Sequence, residues 1–163
     1  MCKLDMKQVV PVEEMTGGDK KDIALLKEML EEAVNYLKSF KWCPEIEKIY
    51  FGFGIGKIVA VFLFKFKEKI KGTDEFLWVV VGDLPPAYFV VDETPNPKEA
   101  LKAYCELMED WVKAVRSGAS LEDIYPIAVP PTEEYARMLS SRIESLRNDI
   151  IPQYGKEYEK KFY

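Results

Sequence analysis

The sequence predicts an α+β protein with one N-terminal helix, a four-stranded antiparallel meander and two main C-terminal helices packed on the sheet. Strand-like segments follow one another between Ile49 and Val91, and their short connections favour antiparallel pairing. Segments with apolar residues at every third or fourth position, which is helical spacing, lie before and after this stretch. A length of 163 residues suits one compact domain, which would bury roughly 70% of the surface of the unfolded chain.

We divide the chain into a flexible N-terminal segment (residues 1–18), a single α+β domain (residues 19–152) and a C-terminal tail (residues 153–163). The tail mixes charges with aromatic residues, so it is either docked on the domain or frayed. The first helix is capped by Asp19 and ends near Phe40. Its apolar side comprises Ile23, Leu26, Leu30, Ala33 or Val34, and Leu37.

A glycine-rich strand follows the first helix. Its apolar residues alternate on one predicted face, and its glycines alternate on the other: Ile49, Phe51, Phe53 and Ile55 against Gly52, Gly54 and Gly56. A face without side chains lets a backbone or a ring approach closely. Alternatively, Gly54 and Gly56 form the hairpin turn into the next strand, Lys57 to Lys67. We favour the turn because the apolar pattern restarts at Ile58.

The segment Phe76–Asp92 reads as two short strands joined by Gly82-Asp-Leu-Pro-Pro86. The first strand is apolar at every position, so we expect both of its faces to be covered. Asp83 lies in the turn, where an Asp side chain commonly accepts hydrogen bonds from turn amides. Alternatively, Asp83 is the polar anchor of a ligand- or partner-binding pocket walled by Trp78 and Tyr88, near the helix of Trp111; otherwise Trp111 is a core residue.

The C-terminal part is predicted to be helical. Asn96 is a suitable N-cap, Pro97 suits the first helical position, and the helix runs to Ser117 before Gly118. A last helix is capped by Thr132 and ends at Pro152. Its inward-facing residues are Tyr135, Leu139, Ile143, Leu146 and Ile150, and its arginines form a solvated face with nearby Glu partners: Arg137, Arg142 and Arg147.

Composition excludes several classes of function. A net charge of −5 argues against a nucleic-acid-binding protein, because phosphate binding needs a basic surface. The longest apolar run, Ile58 to Phe64, is far shorter than the ~20 residues of a membrane-spanning helix. The N-terminus lacks the apolar core of a signal peptide, and three scattered cysteines do not make a disulfide framework. We therefore expect a cytoplasmic protein without a membrane or nucleic-acid partner.

The chain contains no histidine, which removes imidazole bases, Ser–His and Cys–His pairs, and His-ligated metal sites. We expect no metal, no cofactor and no catalytic residue. Trp42-Cys-Pro44 is similar to the start of a thioredoxin-type site but lacks the second cysteine, so a partly buried, inert thiol is the better interpretation. The segment Gly52–Lys57 does not match a phosphate-binding loop, because Ile58 stands at the hydroxyl position.

Several phrases resemble a family of uncharacterised bacterial proteins: Leu77-Trp-Val-Val-Val-Gly-Asp-Leu-Pro-Pro-Ala-Tyr88, Asn96-Pro-Lys-Glu-Ala-Leu101, Tyr104-Cys-Glu-Leu-Met108, Trp111-Val-Lys-Ala-Val115 and Pro131-Thr-Glu-Glu-Tyr-Ala136. The resemblance covers the chain from Phe76 to Pro152. It implies a bacterial, single-domain protein and adds no catalytic residue.

The leading functional hypothesis is a small, non-catalytic interaction or accessory module with a protein partner. The alternative is a binder of a small organic ligand, or an enzyme using carboxylate and tyrosine chemistry, near the Asp83 turn. A concave, partly apolar pocket with convergent polar groups would favour the alternative, and a flat apolar patch the interaction module. One helix shields only about 10 Å of width, less than four strands spaced ~4.8 Å apart, so we expect uncovered apolar surface and therefore a homodimer.

Overall fold

The computed structural model describes residues 4–15, 20–70, 74–92 and 94–152. They form two compact units, and the boundary lies between Ala100 and Leu101. This boundary falls inside residues 19–152, which were expected to form a single domain. The predicted cap Asp19 and the predicted tail lie outside the described residues.

The first unit contains a five-stranded antiparallel sheet, and this confirms the α+β class. The strands run in the order of the chain, each paired with the next: β1 (Val10–Pro11), β2 (Ile46–Ile55), β3 (Val59–Ile70), β4 (Asp74–Gly82) and β5 (Ala87–Val90). The four strands expected are β2 to β5, so the prediction missed β1.

Strand β1 lies in the N-terminal segment (residues 1–18), which was expected to be flexible, and it adds a fifth strand to the sheet. Val10 pairs with Phe51, and 3-10 turns at Met6–Gln8 and Val12–Glu14 flank the strand. Val9 and Met15 are each only 8% exposed, and the Asp5 amide donates a hydrogen bond to the Pro95 carbonyl at 2.8 Å. A two-residue strand is too short to show an alternating pattern, which is why the sequence does not indicate it.

Helix α1 (Lys20–Lys38) covers one face of the sheet. Its buried side chains recur at helical spacing and pack with alternate residues of β3 and β4: Leu26, Met29, Ala33 and Leu37 against Phe62, Phe64, Phe66, Leu77, Val79 and Val81. This core burial of large apolar side chains stabilises the unit by roughly 1.5–3 kcal/mol for each of them.

The predicted one-sided pattern of β2 is wrong, because a β-bulge at Gly52 changes the face. Phe51 pairs with Phe62 on the α1 side, whereas Phe53 pairs with Val61, beyond one extra residue. A bulge of this kind shifts the alternation of side chains by one position. Beyond the bulge Gly54 faces α1, where a Cβ would lie 2.5 Å from Leu26 Cδ2. Gly54 therefore permits a close approach of the helix. For Gly54, the close-approach interpretation is correct and the favoured hairpin-turn interpretation is wrong.

The hairpin turn between β2 and β3 is formed by Gly56 and Lys57, in part as predicted. The Ile58 amide donates to the Ile55 carbonyl at 3.0 Å, and Lys57 has a φ of 69°. The Gly56 amide also donates to Asp22 Oδ1 at 2.9 Å, which attaches this turn to the first turn of α1.

Both faces of β4 are buried, as predicted. Val79 faces α1, Trp78 and Val80 point the other way, and all three have no exposed surface. The strand ends at Gly82, whose φ of 149° and close approach to Ile58 leave no room for a side chain. A Cβ there would lie 2.3 Å from the Ile58 carbonyl oxygen.

Helix α2 (Pro97–Ser117) begins at the end of the first unit, where Asn96 Oδ1 accepts from the Glu99 amide at 2.9 Å, as its predicted N-cap role requires. Helix α3 (Glu133–Ser145) is capped by Thr132, also as predicted, and continues as a π-helical turn over Leu146–Ile150. Tyr135 was expected to face inward and is instead 39% exposed, because Ala136 is the buried residue of that first turn.

Candidate functional site

The four residues predicted to form a site lie in different local surroundings. Trp78 is fully buried, and its indole N–H donates to the Thr94 carbonyl at 2.6 Å. Tyr88 pairs with Val79, the neighbour of Trp78, so the Tyr88 ring lies on the opposite face of the sheet. Asp83 is exposed, and its amide donates to the Ile58 carbonyl at 3.1 Å. Trp111 is a buried residue of the second unit.

A different group of side chains surrounds Tyr88, at the connection between α1 and β2. The chain leaves α1 through a tight turn, in which the Cys43 amide donates to the Phe40 carbonyl at 3.2 Å. This turn places Trp42 beside the ring of Tyr88 and sets Cys43 against the neighbouring groove described below. The connection therefore joins two surface features.

The first feature is a cluster of four half-buried rings, Tyr36, Phe40, Trp42 and Tyr88, which we call the aromatic surface. The centroid of the Tyr88 ring lies 5.1 Å from that of Trp42, 5.4 Å from Phe40 and 6.3 Å from Tyr36. Phe40 stacks on Trp42 at 5.2 Å and meets Tyr36 edge-on at 5.1 Å. These separations are those of favourable aromatic pairs.

The aromatic surface draws its rings from three elements. Tyr36 lies on α1, Phe40 and Trp42 lie on the connection, and Tyr88 lies on β5 at the edge of the sheet. The rings remain partly exposed although they contact one another, whereas the core residue Leu37 is fully buried. Lys38 and Lys41 are exposed, and each lies within two residues of Phe40 in the chain. By chain position, the surface thus has two cations at its margin.

The second feature is an open groove of about 480 Å³ on the other side of Cys43. It is lined by Val34, Lys38, Cys43, Pro44, Glu45, Ile46 and Ile49. Burial raises the pKa of the Cys43 thiol, although nearby Lys38 opposes the shift. The thiol is therefore protonated at neutral pH and is a poor nucleophile, in agreement with the inert-thiol interpretation. Glu45 is held by an ion pair with Lys67 at 3.0 Å.

The sequence analysis named Tyr88 as a candidate and Trp42 only within Trp42-Cys-Pro44, and it did not predict the cluster they form. Tyr36 and Phe40 are four positions apart, and this spacing could have indicated a second apolar stripe at the end of the predicted first helix. The Tyr88 ring is supplied by β5 because of how α1 packs across the sheet. No local sequence pattern indicates that packing.

Among the described residues, neither a metal-ligand cluster nor a membrane-spanning helix is found. Within residues 4–15, 20–70, 74–92 and 94–152, no three His, Cys, Asp or Glu side chains are grouped as metal ligands would be. No helix in this part of the chain is long and apolar enough to cross a membrane.

No protein-family model matches the chain, and no match was found among curated proteins or among solved structures.

Proposed function

We propose that this protein is a small, non-catalytic interaction module that binds a partner polypeptide through its aromatic surface. The observation that supports the proposal is the cluster of rings that stay partly exposed around Tyr88. Trp and Tyr are enriched at the centres of protein interfaces, where they supply large contact areas at small entropic cost.

The position of the cluster also favours a polypeptide partner. β5 is an edge strand, and it pairs only with β4 among the described strands. Tyr88 and exposed Val90 lie on this strand. An extended segment that contacts the rings would therefore lie close to an edge at which strand addition is a common mode of recognition. Lys38 and Lys41 at the margin favour a segment with acidic residues beside its apolar ones.

The proposal can be tested by photo-crosslinking in living cells. A benzophenone amino acid replaces Phe40 in the aromatic surface, and in a matched protein it replaces Ile58, an exposed apolar residue of the same unit. We expect a discrete adduct with one protein from position 40, none from position 58, and loss of the adduct on Tyr88→Ala. Equal labelling from both positions, or no adduct from position 40, would contradict the proposal.

A second candidate function is the binding of a small organic ligand in the groove beside Cys43. The volume of about 480 Å³ lies within the range of known ligand sites, and Lys38 and Glu45 offer one charge of each sign. A ligand there would shield the thiol, so a metabolite extract should slow alkylation of Cys43 without changing alkylation of the denatured protein. No change in the native rate would remove this candidate.

We also propose a homodimer, since a single N-terminal helix was expected to leave apolar surface of the sheet uncovered. In the single chain the residues on both faces of β4 are buried, among them Trp78, Val79 and Val80. Light scattering at tens of micromolar tests the proposal, since a mass near 18.8 kDa would show a monomer.

A further inference from the structure

A second groove, independent of the aromatic surface, lies between α2 and α3 in the second unit. Its volume is about 260 Å³, and its floor includes Val112 and Ile143. Three cationic side chains line it: Lys113 and Arg116 from α2, and Arg147 from the π-helical turn. Two carboxylates, Glu109 and Glu144, line it as well, so cations outnumber acids by one in the lining of a chain whose net charge is −5.

Two of the cations are brought together by one carboxylate. Glu109 Oε1 lies 2.9 Å from Lys113 Nζ, and Glu109 Oε2 accepts a hydrogen bond from Arg147. These hydrogen bonds hold the pKa of Glu109 below its usual range. Arg116 is held separately, with its Nε 3.2 Å from Glu133 Oε1. Arg147 was expected to belong to a solvated face of arginines on the last helix. It pairs with Glu109, which lies on α2.

The π-helical turn adds neutral donors to the cations. The Ile151 amide donates to the Leu146 carbonyl, five residues earlier, which defines the widened turn. Two consecutive residues of the turn, Arg147 and Asn148, both line the groove, together with Ser140. An Asn amide and a Ser hydroxyl can each donate a hydrogen bond to an anion. Widened turns of this kind recur at binding sites.

We propose that this groove binds a phosphate group, whose oxygens replace the Glu109 carboxylate as the partner of Lys113 and Arg147. Glu109 already provides an intramolecular carboxylate at high local concentration, so a free monoanionic carboxylate could not displace it. A phosphate group carries about −1.5 to −2 charges at neutral pH and three acceptor oxygens. It matches the cations and neutral donors better than a carboxylate, which has two oxygens and one charge. Glu144, the other acid lining the groove, repels any anion and therefore lowers the affinity.

Calorimetric titration of the full chain at low salt tests the proposal, with inorganic phosphate in one arm and glycerol 3-phosphate in the other. We expect saturable one-to-one binding in at least one arm. Tighter binding of glycerol 3-phosphate would identify a phosphate ester as the ligand, and tighter binding of inorganic phosphate would identify the free ion. Absence of saturable binding in both arms would overturn the proposal.

Variants separate a binding role from a structural one. Arg147→Gln should weaken binding at least tenfold. If Arg147→Gln does not fold, Asn148→Ala is measured in its place and should weaken binding several-fold. Arg137→Gln, which removes the same charge from an exposed position outside the groove, should leave affinity unchanged. Glu109→Gln should tighten binding at least threefold, because it releases two cations. Equal losses in Arg147→Gln and Arg137→Gln, or no tightening in Glu109→Gln, would contradict the proposal.

Discussion

Trp42, in the connection after α1, lies with its ring centroid 5.1 Å from that of Tyr88, on the edge strand β5. The contact joins the first third of the chain to the last strand of the sheet. It places both rings at the surface, in contact with Phe40 as well. Rings that already pack against one another have less side-chain freedom to lose when a partner binds, which lowers the entropic cost of binding.

The Trp42–Tyr88 contact should be measurable as a coupling energy. Trp42→Ala, Tyr88→Ala and the double variant form a thermodynamic cycle, in which we expect an interaction of about 0.5–1.5 kcal/mol in the free energy of unfolding. Chemical denaturation gives each value. Strictly additive losses would show that the two rings do not stabilise each other.

Two glycines with positive φ should respond very differently to substitution by alanine. Gly118 ends α2 with a φ of 70°, and a Cβ there would meet no atom within 4 Å. Gly118→Ala should therefore cost only the strain of the left-handed backbone, about 1 kcal/mol. Gly82→Ala adds a collision with the Ile58 backbone and should cost about 3 kcal/mol or more. Similar losses for the two variants in thermal denaturation would contradict the assigned crowding.

Lys57 should be replaceable by glycine with a gain in stability. Its φ of 69° is unfavourable for a side chain, and it occupies a turn position at which glycine is preferred. Lys57→Gly should raise the free energy of unfolding by about 0.5–1 kcal/mol. Lys69→Gly, at an exposed position within β3, serves as the control and should lower it. A loss of stability for Lys57→Gly would show that the turn differs from this description.

The two described cysteines should differ in reactivity and in their response to pH. Burial raises the pKa of the Cys105 thiol to about 11, and its side chain has no exposed surface. At pH 8 iodoacetamide should modify half-buried Cys43 well before Cys105, as peptide mass spectrometry can follow. Because the folded protein retains the Cys105 proton, this thiol favours folding below its ordinary pKa of 9.0, and that contribution falls as pH rises toward 11. Faster modification of Cys105 would contradict its burial.

Local patterns predicted the helices, the caps Asn96 and Thr132 and four of the strands, because these depend on residues close in sequence. They failed at Gly52, where the bulge moves Phe53 to the other face. Glycine permits a bulge without requiring one, so alternation alone cannot show where it occurs. They also failed at β1, whose two residues are ordered by tertiary contacts rather than by a pattern of their own.

The candidate surface was less predictable than the fold. Trp78 and Trp111 were among the predicted site residues, and both are buried. The partly exposed rings lie on a helix, a turn and an edge strand. Only the packing of α1 on the sheet brings these rings together. Sequence spacing carries no information about that packing.

The most direct test of the aromatic surface is the affinity of the crosslinked partner for the purified full chain. Trp42→Ala and Ile58→Ala are compared with the unaltered protein, and thermal denaturation verifies that each variant is folded. A central aromatic residue of an interface typically contributes at least 2 kcal/mol, so Trp42→Ala should weaken binding by roughly thirtyfold while Ile58→Ala leaves it unchanged. Binding by folded Trp42→Ala with unaltered affinity would contradict the proposal that this surface is the interface.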